Sequence, residues 1–122
     1  MVVVGCSQEG RRNAMEIEIT PGELVARLAA QDKIRLIDVR EPWEHELVHI
    51  AGDELIPMHD IPLQFPELFK DEVSEVVCYC HSGRRSFSVA EWLRRQGMEN
   101  ARSLAGGVDR WALEIDPTLP RY

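Results

Sequence analysis

The sequence predicts an α/β fold, a parallel five-stranded sheet with helices on both faces. Three observations lead there. Strand-like and helix-like segments alternate along the chain, the pattern of a sheet built from strand–helix–strand units. Residues 34–39 and 76–79 are nearly continuous apolar runs, as strands covered on both faces require. The segments between strands carry helix-start signals followed by apolar residues at helical spacing.

Each element can be justified in turn. Glu16 to Ile19 alternates polar and apolar, as a short strand does. Thr20-Pro21-Gly22-Glu23 supplies an N-cap, a proline at the first helical position and a capping-box glutamate, so a helix begins there and runs to Asp32. Its buried stripe is Leu24, Val25, Leu28 and Ala29. Ile34 to Val39 is the first buried strand. Arg40-Glu41-Pro42-Trp43 interrupts it, Glu44 to Val48 forms a short helix, and Ile50-Ala51-Gly52 turns the chain toward a brief strand at Leu55-Ile56, ended by Pro57. Two prolines between His59 and Phe69 leave room for a helical turn or two with an irregular start. Val76 to Tyr79 is the second buried strand. A helix follows from Ser86 to Gln96, with Val89, Ala90, Trp92 and Leu93 inward and Glu91, Arg94 and Arg95 toward water. A strand at Arg102 to Leu104, the pair Gly106-Gly107 and a helix from Val108 to Leu113 complete the pattern.

With 122 residues the chain holds one domain, taken as residues 15–122 behind a flexible leader of residues 1–14. Val3-Val4-Gly5-Cys6 resembles the tetrad around a lipid-modified cysteine, but neither a basic start nor a full apolar segment precedes it. No apolar run is long enough to span a membrane, and a net charge of −7 opposes a nucleic-acid surface. Cys6, Cys78 and Cys80 are an odd set without framework spacing, which points to a reducing, cytoplasmic compartment.

The segment Cys80-His81-Ser82-Gly83-Arg84-Arg85 joins a buried strand to an amphipathic helix. Loop amides and the helix N-terminus there aim positive partial charge at one point, where Cys80 sits. That field, with Arg84 and Arg85 beside it, favours the thiolate, the form that attacks. Gly83 lets the backbone curl, Ser82 and Ser86 add hydroxyls, and Ser86 is placed to cap the following helix. A cysteine at a strand end is often only a small core residue, and an arginine pair at a helix start is often a solvated surface. The full pattern Cys-x-x-Gly-x-Arg-Ser in this position favours a nucleophile and its anion pocket.

This loop resembles the active-site loop of the rhodanese (thiosulfate sulfurtransferase-like) family in its single-domain form. Leu36 to Glu41 resembles the family's leading strand motif, His49-Ile50-Ala51-Gly52 with Ile56-Pro57 its central motif, and Leu104 to Gly107 with Trp111 its closing one, in family order over residues 16–114. The resemblance implies a ping-pong sulfurtransferase. Cys80 would carry sulfane sulfur as a persulfide, and the amides of His81, Ser82, Gly83, Arg84 and Arg85 would cradle its outer atom. The donor would be a small anion such as thiosulfate, or another persulfide. The acceptor would be cyanide or a thiol such as glutathione or thioredoxin. No cofactor is implied. A second reading is a sulfur-carrying or regulatory module that docks on a partner without free turnover. An arsenate reductase or phosphatase is disfavoured, because the related phosphatases place five residues between cysteine and arginine, whereas four separate Cys80 from Arg85.

His81 stands where many relatives have arginine; it either assists the leaving group or is an idle loop histidine. Asp38, at the carboxyl end of a strand, either holds Arg85 or a loop amide or closes the turn at Arg40-Glu41-Pro42. His45, His49 and His59 are not spaced as a metal set with any cysteine, so no metal is expected. Cys78 reads as core, since neighbouring same-face strand positions hold their sulfurs apart. Gly106-Gly107 reads as a tight turn, a phosphate-binding role lacking its surrounding fingerprint.

Overall fold

The computed structural model describes residues 17–68, 70 and 75–122. The expectations for the leader, its Cys6, Glu16 and Phe69 lie outside them. Five strands, β1 (Glu18–Ile19), β2 (Arg35–Asp38), β3 (Glu54–Leu55), β4 (Val76–Tyr79) and β5 (Ala101–Leu104), form one parallel sheet in the order β1-β5-β4-β2-β3. The helices are α1 (Pro21–Ala29), α2 (Pro42–Leu47), α3 (Ile61–Leu68), α4 (Arg84–Arg95) and α5 (Gly107–Glu114), with a 3-10 turn at Met58–Asp60.

β4 is the middle strand, and its four residues are all buried. Its side chains alternate between two cores, as the pleat requires. Val76 and Cys78 join Ile37, Val39, Ile61 and the α4 residues Val89, Ala90 and Leu93. Val77 and Tyr79 join Leu36, Leu24 of α1 and Val108 and Trp111 of α5. The helices therefore cover both faces, and the chain leaves β4 for α4 between two packed layers. Among the described residues no helix is long and apolar enough to cross a membrane.

Several boundaries differ from the sequence reading, each for a local reason. The Thr20 capping box forms as expected, with Thr20 Oγ1 accepting from Glu23 N–H at 3.1 Å, but α1 ends at Ala29, which is exposed rather than part of the stripe. α2 begins at Pro42, two residues early, because Pro42 serves as its first residue and Glu41 pairs with Glu44 in a second capping box. β3 is one residue early, set by the register Ile37↔Glu54 and Asp38↔Leu55. α4 begins at Arg84, because Gly83 takes φ 106° and closes the loop sooner. Arg94, expected to face water, donates from Nε to the Ala101 carbonyl at 2.7 Å.

One ion pair is buried in full at the carboxyl end of β2. Arg40 Nε and Nη2 each donate to Asp38 at 2.8 Å, and neither residue is exposed to solvent. Burial alone would favour discharging Arg40. The hydrogen bonds to Asp38 and to the Tyr122 hydroxyl outweigh it, and the guanidinium pKa lies above the ordinary arginine value.

Candidate active site

Cys80 follows β4 directly and is 1% exposed. The loop after it is held from outside: Val108 N–H donates to the Cys80 carbonyl at 2.9 Å and Asp109 N–H to the His81 carbonyl at 3.1 Å. The first turn of α5 has no intrahelical partners for these donors, so it takes the loop carbonyls. The loop's own donors are left for the sulfur. Gly83 N–H donates to Cys80 Sγ at 3.1 Å and Ser86 N–H at 3.4 Å. The Ser86 hydroxyl lies 3.5 Å from Sγ and 2.7 Å from the Ser103 hydroxyl. Cys80 thus sits under two backbone donors and at one end of a buried hydroxyl pair, an arrangement that stabilises negative charge on sulfur.

The structure brings some expected residues to this point and moves others away. Ser86 is not a helix cap; it lies in the first turn of α4, where its N–H and hydroxyl face the sulfur. Ser82 and Arg84 are exposed, and His81 is half-buried. Arg85 gives its Nη1 and Nη2 to the two carboxylate oxygens of Glu44, at 2.8 and 3.0 Å. Of the two positive charges expected beside Cys80, Arg85 is therefore ion-paired with Glu44 and Arg84 faces solvent. The reading that Asp38 holds Arg85 or a loop amide is likewise overturned. The Asp38 carboxylate accepts from Arg40 N–H at 3.0 Å and from its guanidinium, and lies 3.0 Å from His45 Nδ1. It closes the turn at Arg40.

Glu44, Ser103 and Tyr122 were not singled out from the sequence. Glu44 carried a signal, the repeated glutamate spacing of a capping box. Ser103 was a polar residue in a strand, facing inward with no exposure. Tyr122 carried none. The Arg85 hydrogen bond holds the Glu44 carboxyl down at about 2, against an ordinary value of 4.5. A depressed folded value contributes stability that is complete above the unfolded pKa and is lost as pH falls through the folded one. Glu44→Gln is expected to lower unfolding free energy at pH 7 by on the order of 2 kcal/mol, discounted for Arg85's partial exposure. The difference from wild type should close between about pH 4.5 and pH 2 in urea titrations. A difference unchanged across that window would remove the ion pair from the acid dependence.

Cys78 is fully buried in the same core layer as Cys80, and burial pushes its thiol up to about 12, with Cys80 a lesser cause. Both are free thiols. The histidines need a correction. The turn after α2 brings His45 and His49 together with Asp53, ligand atoms within 4.8 Å of one another. Their rings, however, stack at 4.0 Å and 14°. Imidazole lone pairs lie in the ring plane, so stacked rings direct them side by side and not at one ion. The Nδ1 atoms have protein partners, that of His45 the Asp38 carboxylate and that of His49 the His45 carbonyl, each at 3.0 Å. His59 is exposed beside Glu41 and Asp60.

A family model described as the rhodanese-like domain matches residues 20–114. A sulfurtransferase of Allochromatium vinosum is 38% identical over 95 residues, 78% of this chain and 87% of its own length. A rhodanese-like/PpiC domain-containing chloroplastic protein of Arabidopsis thaliana is 32% identical over 93 residues, 75% of this chain; the chain spans 31% of that larger relative. The solved structure of a human single-domain sulfurtransferase superposes with a TM-score of 0.67 at 26% identity, covering 80% of this chain and 96% of that one.

Proposed function

The chain belongs to the rhodanese-like family, and from that premise we propose that it transfers sulfane sulfur through a persulfide on Cys80. The observation that carries this is the convergence of Gly83 N–H and Ser86 N–H on Cys80 Sγ. With thiosulfate as donor, the Cys80 thiolate attacks the outer sulfur. A Cys80 sulfur–sulfur bond forms, the bond to the sulfonate sulfur breaks, and sulfite leaves with its electron pair. The outer persulfide sulfur then lies within reach of the loop amides from His81 to Arg85. A thiophilic acceptor such as cyanide attacks that atom, thiocyanate departs, and the electron pair returns to Sγ. No step needs a metal or an organic cofactor. A glutathione or thioredoxin thiolate would accept the sulfur in the same way, in a reducing compartment such as the cytoplasm.

Phosphatase chemistry fits less well. Arg85 follows Cys80 after four intervening residues and spends both terminal nitrogens on Glu44, where a phosphate clamp would leave them to the substrate.

The deciding experiment is intact-protein mass spectrometry after thiosulfate, then after cyanide, with thiocyanate assayed in the same samples. One added sulfur atom, removed by cyanide with stoichiometric thiocyanate, is the expected result. An adduct that cyanide leaves in place, discharged only by a partner protein, would favour the sulfur-carrier module. No adduct from thiosulfate or from a polysulfide would overturn persulfide chemistry.

A further inference from the structure

Tyr122 belongs to none of the motifs, yet it reaches the sulfur loop by two routes, one direct and one through a carboxylate. Its ring stacks on the His81 imidazole at 4.1 Å and 18°. Its hydroxyl accepts from Arg40 Nη1 at 2.7 Å and donates to Glu44 Oε2 at 2.8 Å. That same Oε2 accepts from Arg85 Nη2 at 3.0 Å. One side chain therefore meets the residue after Cys80 directly, and meets Arg85 through a single carboxylate.

The segment that delivers Tyr122 is tied down. Asp116 closes a turn, its carbonyl accepting from Leu119 N–H at 3.1 Å, and Leu119 and Tyr122 pack against the core layer of Tyr79 and Trp111. Arg121 then gives Nε and Nη2 to Asp109 at 2.8 and 3.1 Å. Asp109 is the residue whose N–H holds the His81 carbonyl. The contacts close a ring: His81 backbone to Asp109, Asp109 carboxylate to Arg121, and Tyr122 back to the His81 ring. Burial, with the Glu44 carboxylate as a further cause, raises the Tyr122 phenol to about 12 despite Arg40, so it remains a donor at neutral pH.

We propose that Tyr122 is a positioning residue for the sulfur loop, its ring fixing His81 and its hydroxyl fixing Glu44 and Arg85 so that the loop stays closed over Cys80. The kinetic part of the test rests on the sulfur-transfer reading; the labelling part does not. Tyr122→Phe keeps the stack and removes the hydroxyl bridge, Tyr122→Leu removes both, and Arg121→Ala loosens the segment without touching the loop.

Native-state alkylation by iodoacetamide, located by peptide mass spectrometry, reads the loop directly. Cys80 in Tyr122→Leu should react about tenfold faster than in wild type, the factor to which the loss of an aromatic pair converts. Tyr122→Phe should stay within about threefold, and Arg121→Ala should fall between. Cys78 should remain unlabelled throughout, which separates loop opening from unfolding. In thiocyanate kinetics, KM for thiosulfate should rise in Tyr122→Leu by about the same factor, with Tyr122→Phe restoring most of it. Wild-type alkylation rates in Tyr122→Leu and Arg121→Ala would overturn the proposal. A wild-type protein inert toward thiosulfate, with the labelling differences intact, would instead count against the sulfur-transfer reading alone.

Discussion

Cys80→Ser is expected to reduce thiocyanate formation by at least about a thousandfold, to the uncatalysed background, because a serine hydroxyl neither ionises near neutrality nor holds sulfane sulfur in a transferable bond. The substitution suits the test because it changes little else. Serine is close to cysteine in size, and its oxygen can accept from the Gly83 and Ser86 N–H groups that now meet Sγ. The buried hydroxyl would also neighbour that of Ser86, itself hydrogen-bonded to Ser103, so its polarity finds a partner. Stability should therefore stay within about 1–2 kcal/mol of wild type in thermal or urea unfolding. Loss of transfer with folding retained assigns the chemistry to the sulfur atom. Transfer that survived the change would move the carrier elsewhere, and the inert, fully buried Cys78 is a poor alternative.

Gly107→Ala should produce the second large effect, through the backbone. Gly107 has φ 62°, and a Cβ there would lie 2.5 Å from the Cys80 carbonyl oxygen and from the His81 carbonyl carbon. Both obstacles are main chain of the sulfur loop, which cannot swing aside as a side chain can. Relief requires α5 and the loop to separate, breaking the hydrogen bonds from Val108 and Asp109 that hold the loop carbonyls. A loss of about 3–4 kcal/mol is expected, combining the left-handed backbone penalty with overpacking. Gly106→Ala is the contrast. Its φ is 76°, but its Cβ would meet the flexible side chain of Arg110, so about 1–2 kcal/mol should suffice. Urea unfolding of the two variants, paired with thiocyanate assays, checks both the order and the size. Equal losses would mean that α5 yields to the methyl group without disturbing the loop.

What could be read from the sequence was what is local. The strand, the cysteine and the glycine that curls the loop lie within eight residues, 76–83, and their order alone places a cysteine at a strand end ahead of a helix. The parallel sheet was legible for a similar reason, since its buried strands are contiguous apolar runs. The partners that organise the loop are not local. Glu44 reaches Arg85 across 41 positions, Tyr122 reaches Glu44 across 78, and Ser103 reaches Ser86 across 17. No spacing rule predicts such meetings; they follow from which strands become neighbours in the sheet. Asp38 was left between two readings, and the structure agrees with the one that closes the turn at Arg40. Its position at the strand end suited a role at the loop, but Arg40, two residues on, satisfies the carboxylate first. The stacked His45 and His49 show that proximity in space can arise without convergence of lone pairs.

Val76, Cys78 and Cys80 lie in one core layer, so Cys80, the proposed sulfur carrier, is the last member of a row whose other members are pure packing. Its vibrational amplitude should then be that of the protein interior, with the adaptable part of the machinery confined to the rim around it. Such a division lets rim substitutions change which sulfur compounds are admitted without re-tuning the anchored atom, so diversification of substrate and preservation of chemistry can proceed on separate residues.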